Sequence, residues 1–222
     1  MGIRNQLLEQ GYFEVPPALP TELVQRVRDD VARAAEDAFQ EDAMWDLLDL
    51  LVPIAREALD SDVAILPAFW AYRLAPNEAG WHPHRDNVGL ARDASGRLAC
   101  ITMWVALTDA TAKNGCIYCV PAYWDLAYQS RVVNTVIVAE DTIRALPVPA
   151  GTVLGWSQSL LHWGGRCGPH ESPRLSTSFE MIRADLVSTV PLAHPVGWRP
   201  PASERKALMD QMRARYSHML AD

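Results

Sequence analysis

Basic residues are scarce in this chain. Lys and Arg number 20 against 27 Asp and Glu, a formal net charge of -7. That deficit argues against a nucleic-acid partner, which calls for a basic face, and against a polybasic membrane patch. No apolar run approaches the roughly 20 residues of a spanning helix. The opening Met1-Gly2-Ile3-Arg4-Asn5-Gln6 lacks a long apolar signal segment, and Gln6 breaks the myristoylation pattern that Met1-Gly2 begins. Cysteine is sparse too, with Cys100, Cys116, Cys119 and Cys167 only. Cys116 and Cys119 form a C-x-x-C, but in an apolar, extended segment where an offset of three sends the side chains to opposite faces. A redox pair normally sits at a helix N-terminus, so these read as buried, reduced thiols in a cytoplasmic protein. Internal repeats and low-complexity linkers are absent as well.

What is present is ordinary globular material, 49% hydrophobic and 21% charged over 222 residues. That length fits one domain, a core with helical additions. After Gln6 to Val15 comes a proline-marked turn at Pro16, Pro17 and Pro20. Thr21 reads as an N-cap, and Val24, Val27, Val31, Ala34 and Ala38 recur at helical spacing, which predicts a helix over Thr21 to Gln40. A second helix is predicted over Asp42 to Leu59, kinked or split by Pro53. From Val63 onward the pattern becomes short β-rich segments. Strands are predicted over Val63 to Leu74, Leu98 to Thr108, Cys116 to Val120, Val132 to Val138, Thr152 to Ser157 and Arg174 to Arg183. In the second of these, Ile101, Met103, Val105 and Leu107 share one face, and Thr102, Trp104, Ala106 and Thr108 the other. Turns at Asn114-Gly115 and Pro149-Ala150-Gly151 punctuate them. The tail returns to helix, capped by Ser203 with Leu208, Met212 and Tyr216 in one stripe. The expectation is a mainly β jelly-roll or barrel with flanking helices. Its parts are a helical region over 1–62, a core over 63–185 and an extension over 186–222 ending in a helix.

The chemistry concentrates in a few polar residues. His84-Arg85-Asp86 is an H-x-D triplet, whose two side chains share one face of an extended strand. His162 sits far downstream in the apolar run Leu160-Leu161-His162-Trp163-Gly164-Gly165. Two imidazoles and one carboxylate are the ligand set that holds non-haem Fe(II) and leaves coordination positions open. His82 is an alternative ligand to His84, and His170 to His162; His194 and His218 read as surface residues. Arg174 follows the last histidine, and its planar fork suits a dicarboxylate co-substrate. Trp70, Trp81, Trp104, Trp124, Trp156 and Trp163 all fall near these residues in sequence. They read either as walls for a small, partly apolar substrate or as core filling. Arg73, Arg85, Arg131 and Arg166 are candidates to anchor a substrate carboxylate.

The chain resembles the phytanoyl-CoA dioxygenase family of Fe(II)- and 2-oxoglutarate-dependent oxygenases. The resemblance rests on Gln10-Gly11-Tyr12-Phe13 with the proline turn after it, Gly80-Trp81-His82-Pro83-His84-Arg85-Asp86-Asn87, and Trp104 to Thr111 followed by Asn114-Gly115-Cys116. It continues through Gly151 to Trp156, His162 and Pro173-Arg174-Leu175-Ser176, and spans about residues 8 to 185. It implies a double-stranded β-helix (jelly-roll, cupin-like). It implies His84, Asp86 and His162 as iron ligands and Arg174 with Ser176 on the distal carboxylate of 2-oxoglutarate. It also places Trp104 on the co-substrate pocket, on the face that Thr102 shares, with Tyr72 as a further hydrogen-bonding group. The implied reaction takes O2 and a small-molecule substrate and releases succinate and CO2; a carboxylate at Asp86, where iron halogenases carry a small residue, favours hydroxylation. Pro121-Ala122-Tyr123-Trp124 departs from the family's usual Pro-Gly-Ser-His turn, so that loop's contacts do not carry over. No basic cluster offers to hold coenzyme A phosphates.

Two other classes compete. His82-x-His84-x-Asp86 resembles a metallo-β-lactamase motif, which would make a dinuclear zinc hydrolase, although Asn87 stands where that motif has histidine. A non-enzymatic jelly-roll binding protein is the other.

Overall fold

The computed structural model describes residues 1–130, 136–190 and 192–215. In chain order the elements are α1 (Ile3–Gln10), β1 (Tyr12–Val15), α2 (Thr21–Ala34), α3 (Asp42–Leu59), β2 (Val63–Leu74), β3 (Cys100–Ala106) and β4 (Ile117–Val120). Then come β5 (Arg144–Leu146), β6 (Val153–Ser157), β7 (Leu161–Gly164), β8 (Arg174–Arg183), β9 (His194–Pro195) and α4 (Ala202–Arg215). Every strand pair is antiparallel. The large sheet runs β1-β6-β3-β8-β2-β9 and the small one β5-β4-β7. Spatial neighbours are distant in sequence, as a double-stranded β-helix requires. The N-terminal β1 and C-terminal β9 form the two edges of the large sheet.

Alternation along the strands sorts residues between two interiors. Ile101, Met103 and Val105 of β3, with Leu175, Phe179 and Met181 of β8, enter an apolar core that α2 and α3 cover. There Phe39, Phe69 and Phe179 meet with ring centroids 5.3, 5.7 and 6.0 Å apart. Each such buried side chain contributes about 1.5–3 kcal/mol. The opposite face of β3 carries Thr102, Trp104 and Ala106, and it faces the second interior, between the sheets. The two faces predicted for this strand are the faces observed.

The departures have physical causes. The helix expected to reach Gln40 ends at Ala34, because Ala35 turns to φ 48°, and residues Ala35–Gln40 tighten into a 3-10 turn. That turn buries Phe39, whose carbonyl accepts from Trp45 Nε1 at 2.9 Å. Thr21 is already helical and gives no capping bond, and Ser203 lies inside α4. Pro53 neither splits nor ends α3, which runs unbroken past it. Pro67 falls in β2 where its register with β8 shifts, between Leu66 and Trp70; a residue without an N–H suits such an irregularity. The strand expected over Val132 to Val138 lies largely outside the described residues, and 136–138 form none.

Candidate metal and co-substrate site

Two backbone segments meet beside the small sheet. Gly80 donates to the Gly165 carbonyl and Gly164 to the Trp81 carbonyl, each at 3.1 Å. A Cβ on Gly80 would stand 2.6 Å from Gly164 backbone, so this approach requires glycine. Four residues on, His84 and His162 exchange backbone hydrogen bonds of 3.0 Å in both directions. The H-x-D triplet therefore lies not in a regular strand, as expected, but in a loop tied to β7 by a single bridge.

That tie brings the predicted ligand set together. His84, Asp86 and His162 offer ligand atoms that all lie within 4.8 Å of one another. Asp86 Oδ1 is 3.5 Å from His84 Nε2 and 3.6 Å from His162 Nε2. Each ring's Nδ1 faces a carbonyl, His84 that of His82 at 2.8 Å and His162 that of Leu160 at 3.0 Å. Donating there assigns the proton to Nδ1 and leaves both Nε2 lone pairs turned inward. The other carboxylate oxygen of Asp86 accepts from Thr102 Oγ1 at 2.6 Å and Trp156 Nε1 at 2.9 Å. Gln158 in turn donates to Thr102 Oγ1 at 2.9 Å. Burial alone would raise Asp86, but the two histidines and Thr102 hold its carboxyl well below the usual range. Burial pulls His162 down to about 4, whereas for His84 the hydrogen bond and charge of Asp86 outweigh burial and raise it. These donors fit a divalent first-row metal with an open side.

The alternatives fall away from this cluster. His82 contributes its carbonyl, and its exposed ring sits 6.1 Å from the ring of His84. His170 is exposed in the turn after Cys167. His194 is not a bare surface residue, since its ring stacks on Trp198 at 3.6 Å; His218 lies outside the described residues. Among the described residues this is the one three-residue cluster of possible metal ligands, which leaves a dinuclear site without its second half.

The triad opens on a cavity of about 850 Å³, counting the space at its mouth, that also holds Arg174, Trp104, Tyr72 and Thr102. Arg174 is only 4% exposed, yet no carboxylate pairs with it among the described residues. Its Nη1 donates to Ser176 Oγ at 2.7 Å, its guanidinium lies 5.5 Å from the Trp104 ring centre, and its Nε has no partner. Burial lowers its pKa to about 10. Ser176 reaches the cavity through Arg174 rather than by lining it. Tyr72 and Ser178 both line the cavity, and burial raises the Tyr72 hydroxyl.

Two residues that sequence reading misjudged matter here. Arg85, a candidate substrate anchor, turns away from the cavity and forks onto Asp125 at 2.6 and 3.0 Å, clamping the ligand loop to the 121–130 segment. Arg73 and Arg166 are exposed, and Arg131 lies outside the described residues. Glu180 was not singled out at all, although it lines the cavity. Its signal was strand parity: positions 174, 176, 178 and 180 of β8 share a face. Burial and then the charge of Asp86 push its carboxyl up to about 8. Of the six tryptophans flagged, Trp70, Trp81, Trp104 and Trp156 line the cavity. Trp163 stacks on Tyr118, and Trp124 is 60% exposed. Cys116 precedes β4, and both it and Cys119 belong to one apolar cluster; all four thiols are buried and free.

No curated protein matches the chain in sequence. Solved structures share its fold. The 2-oxoglutarate-dependent epimerase SnoN from nogalamycin biosynthesis is 19% identical with a TM-score of 0.65, over 82% of each chain. The carbocyclase SnoK of the same biosynthesis is 18% identical with a TM-score of 0.65, over 90% of this chain and 93% of that one. HygX from Streptomyces hygroscopicus, solved with nickel and 2-oxoglutarate, is 19% identical with a TM-score of 0.63, over 81% and 85%. The sequence profile of phytanoyl-CoA dioxygenase (PhyH) matches residues 49–168, a stretch that takes in His84, Asp86 and His162. With that match covering more than half of its length, the chain belongs to the phytanoyl-CoA dioxygenase family.

Proposed function

We propose that this protein is a non-haem Fe(II)- and 2-oxoglutarate-dependent oxygenase that hydroxylates an unactivated C–H of a small molecule. The reading rests on a single observation above all: a buried arginine with no carboxylate partner shares a cavity with a His-Asp-His cluster. A buried unpaired cation is costly, and a ligand carboxylate removes that cost. His84, Asp86 and His162 would hold iron. Arg174, steadied by Ser176 and backed by Trp104, would hold the distal carboxylate of 2-oxoglutarate. Iron(II) with 2-oxoglutarate supplies an oxidant made from O2, with release of succinate and CO2. Thr102 and Trp156 orient Asp86, and the Nδ1 bonds of both histidines fix which nitrogen faces the metal. Tyr72 supplies a hydroxyl on the co-substrate side. The tryptophan walls exclude water from the reacting carbon. Four free, buried thiols support a reducing, cytoplasmic setting. Related folds include an epimerase and a carbocyclase, so the outcome is the part that product analysis must decide.

Anaerobic addition of Fe(II) and 2-oxoglutarate tests this. A visible chelate charge-transfer band, lost in Asp86→Ala and weakened in Arg174→Ala, is expected. No band in the parent protein would sink the assignment.

A further inference from the structure

We propose that the substrate carries a positively charged amine and that Glu180 is its counter-ion; this rests on the oxygenase reading above. Glu180 projects from the cavity face of β8 and is paired in register with Thr102, the residue whose hydroxyl holds Asp86. It therefore stands at the level of the metal cluster, yet it is outside that cluster. No hydrogen bond or ion pair among the described residues holds its carboxyl.

Charge balance makes that loneliness informative. The charged groups lining the cavity are the triad, Arg174 and Glu180. On the oxygenase reading, the charges of Fe(II) and Arg174 are matched by Asp86 and the two carboxylates of 2-oxoglutarate. Glu180 is left over, half-buried and facing Asp86, and with the cavity empty its carboxyl keeps its proton. A cation placed beside it would release that proton and pair with the carboxylate. Arg174 and Glu180 stand about 20 Å apart along one face of β8, so the cavity has an anion-binding end and a cation-binding end.

The wall beside Glu180 fits an ammonium group. Trp70 is in register with Ser178, the next residue of β8 on the cavity face. Its ring meets that of Trp81 edge to face at 5.8 Å, and the Trp81 ring lies 5.8 Å from that of His84. A carboxylate beside indole faces is the chemistry that recognises an amine, through an ion pair and cation–π attraction together. The same contacts would bring the carbon skeleton of the amine alongside the metal ligands.

The test uses full-length protein loaded anaerobically with Fe(II) and 2-oxoglutarate, reading shifts of the chelate band. The probes are 2-phenylethylamine, 2-phenylethanol and 3-phenylpropanoate. The amine is expected to bind at least about tenfold tighter than the alcohol, with the acid weakest. E180Q is expected to erase that order while the chelate band persists. Equal binding of amine and alcohol by the parent protein overturns the proposal and needs no variant. An order that survives in E180Q overturns it too, as does failure of all three probes to bind. Absence of the chelate band before any probe is added defeats the oxygenase reading instead, and this one with it.

Discussion

The two faces of β8 do different work with the same backbone. Leu175, Phe179 and Met181 belong to the apolar core under α2 and α3, and the buried Thr177 among them donates to the Trp70 carbonyl. Arg174, Ser176, Ser178 and Glu180 point the other way, and three of them line the cavity. One face is satisfied by the protein itself. The other leaves a guanidinium nitrogen without a partner and a carboxyl without a cation. Incompleteness on one face, within a strand whose other face is fully packed, marks where a ligand belongs.

The comparison can be broken most severely at the metal cluster. His84→Ala, Asp86→Ala or His162→Ala should each abolish succinate formation, while thermal unfolding of the metal-free protein moves little. Full turnover in any of the three would remove that residue from the ligand set. On the packed face, Phe179→Ala should cost about 3–5 kcal/mol in denaturant unfolding. A loss under about 1 kcal/mol would mean that the aromatic cluster is dispensable. Arg174→Ala should weaken 2-oxoglutarate binding by about 2–5 kcal/mol with little change in stability. Unchanged co-substrate affinity in calorimetry would free it from that role.

Smaller effects sharpen the same contrast. Thr102→Val removes the hydroxyl that holds Asp86 and should weaken metal binding about 10–100-fold. Wild-type metal affinity in that variant would make the bond incidental. The pH dependence has a definite sign. His84 titrates above the ordinary histidine value, so its Nε2 takes up a proton early as pH falls, and a protonated ring offers the metal no lone pair. The chelate band should therefore weaken as pH falls from well above the ordinary histidine value to below it, and recover on return. A band unchanged across that range would show that metal holds His84 deprotonated throughout.

Much of this was legible in the sequence, for reasons that differ by element. β3 and β8 were clear because alternation has period two and runs the length of each strand. α3 was clear because its apolar stripe is long. The break at Ala35 was not, since alanine gives no local sign of positive φ. β1, β5 and β9 are two to four residues long and exist only because a sheet edge receives them. At the site, residue types with known ligand chemistry were visible at once. Glu180 was not, because a lone glutamate in a strand acquires meaning only when Thr102 and Asp86 come to stand beside it. Arg85 misled for the converse reason: its partner, Asp125, comes from a segment that no spacing rule connects to it.

The reciprocal backbone bonds between His84 and His162 have a consequence for how the ion enters. They set the spacing of two ligands through main chain, without help from metal. The apoprotein is thus poised rather than slack, and little chain entropy remains to be lost on loading. Chelator-stripped protein should keep its cooperative unfolding and its protease resistance, unlike small domains that fold only around zinc. Iron, on this view, is a passenger in a seat already built.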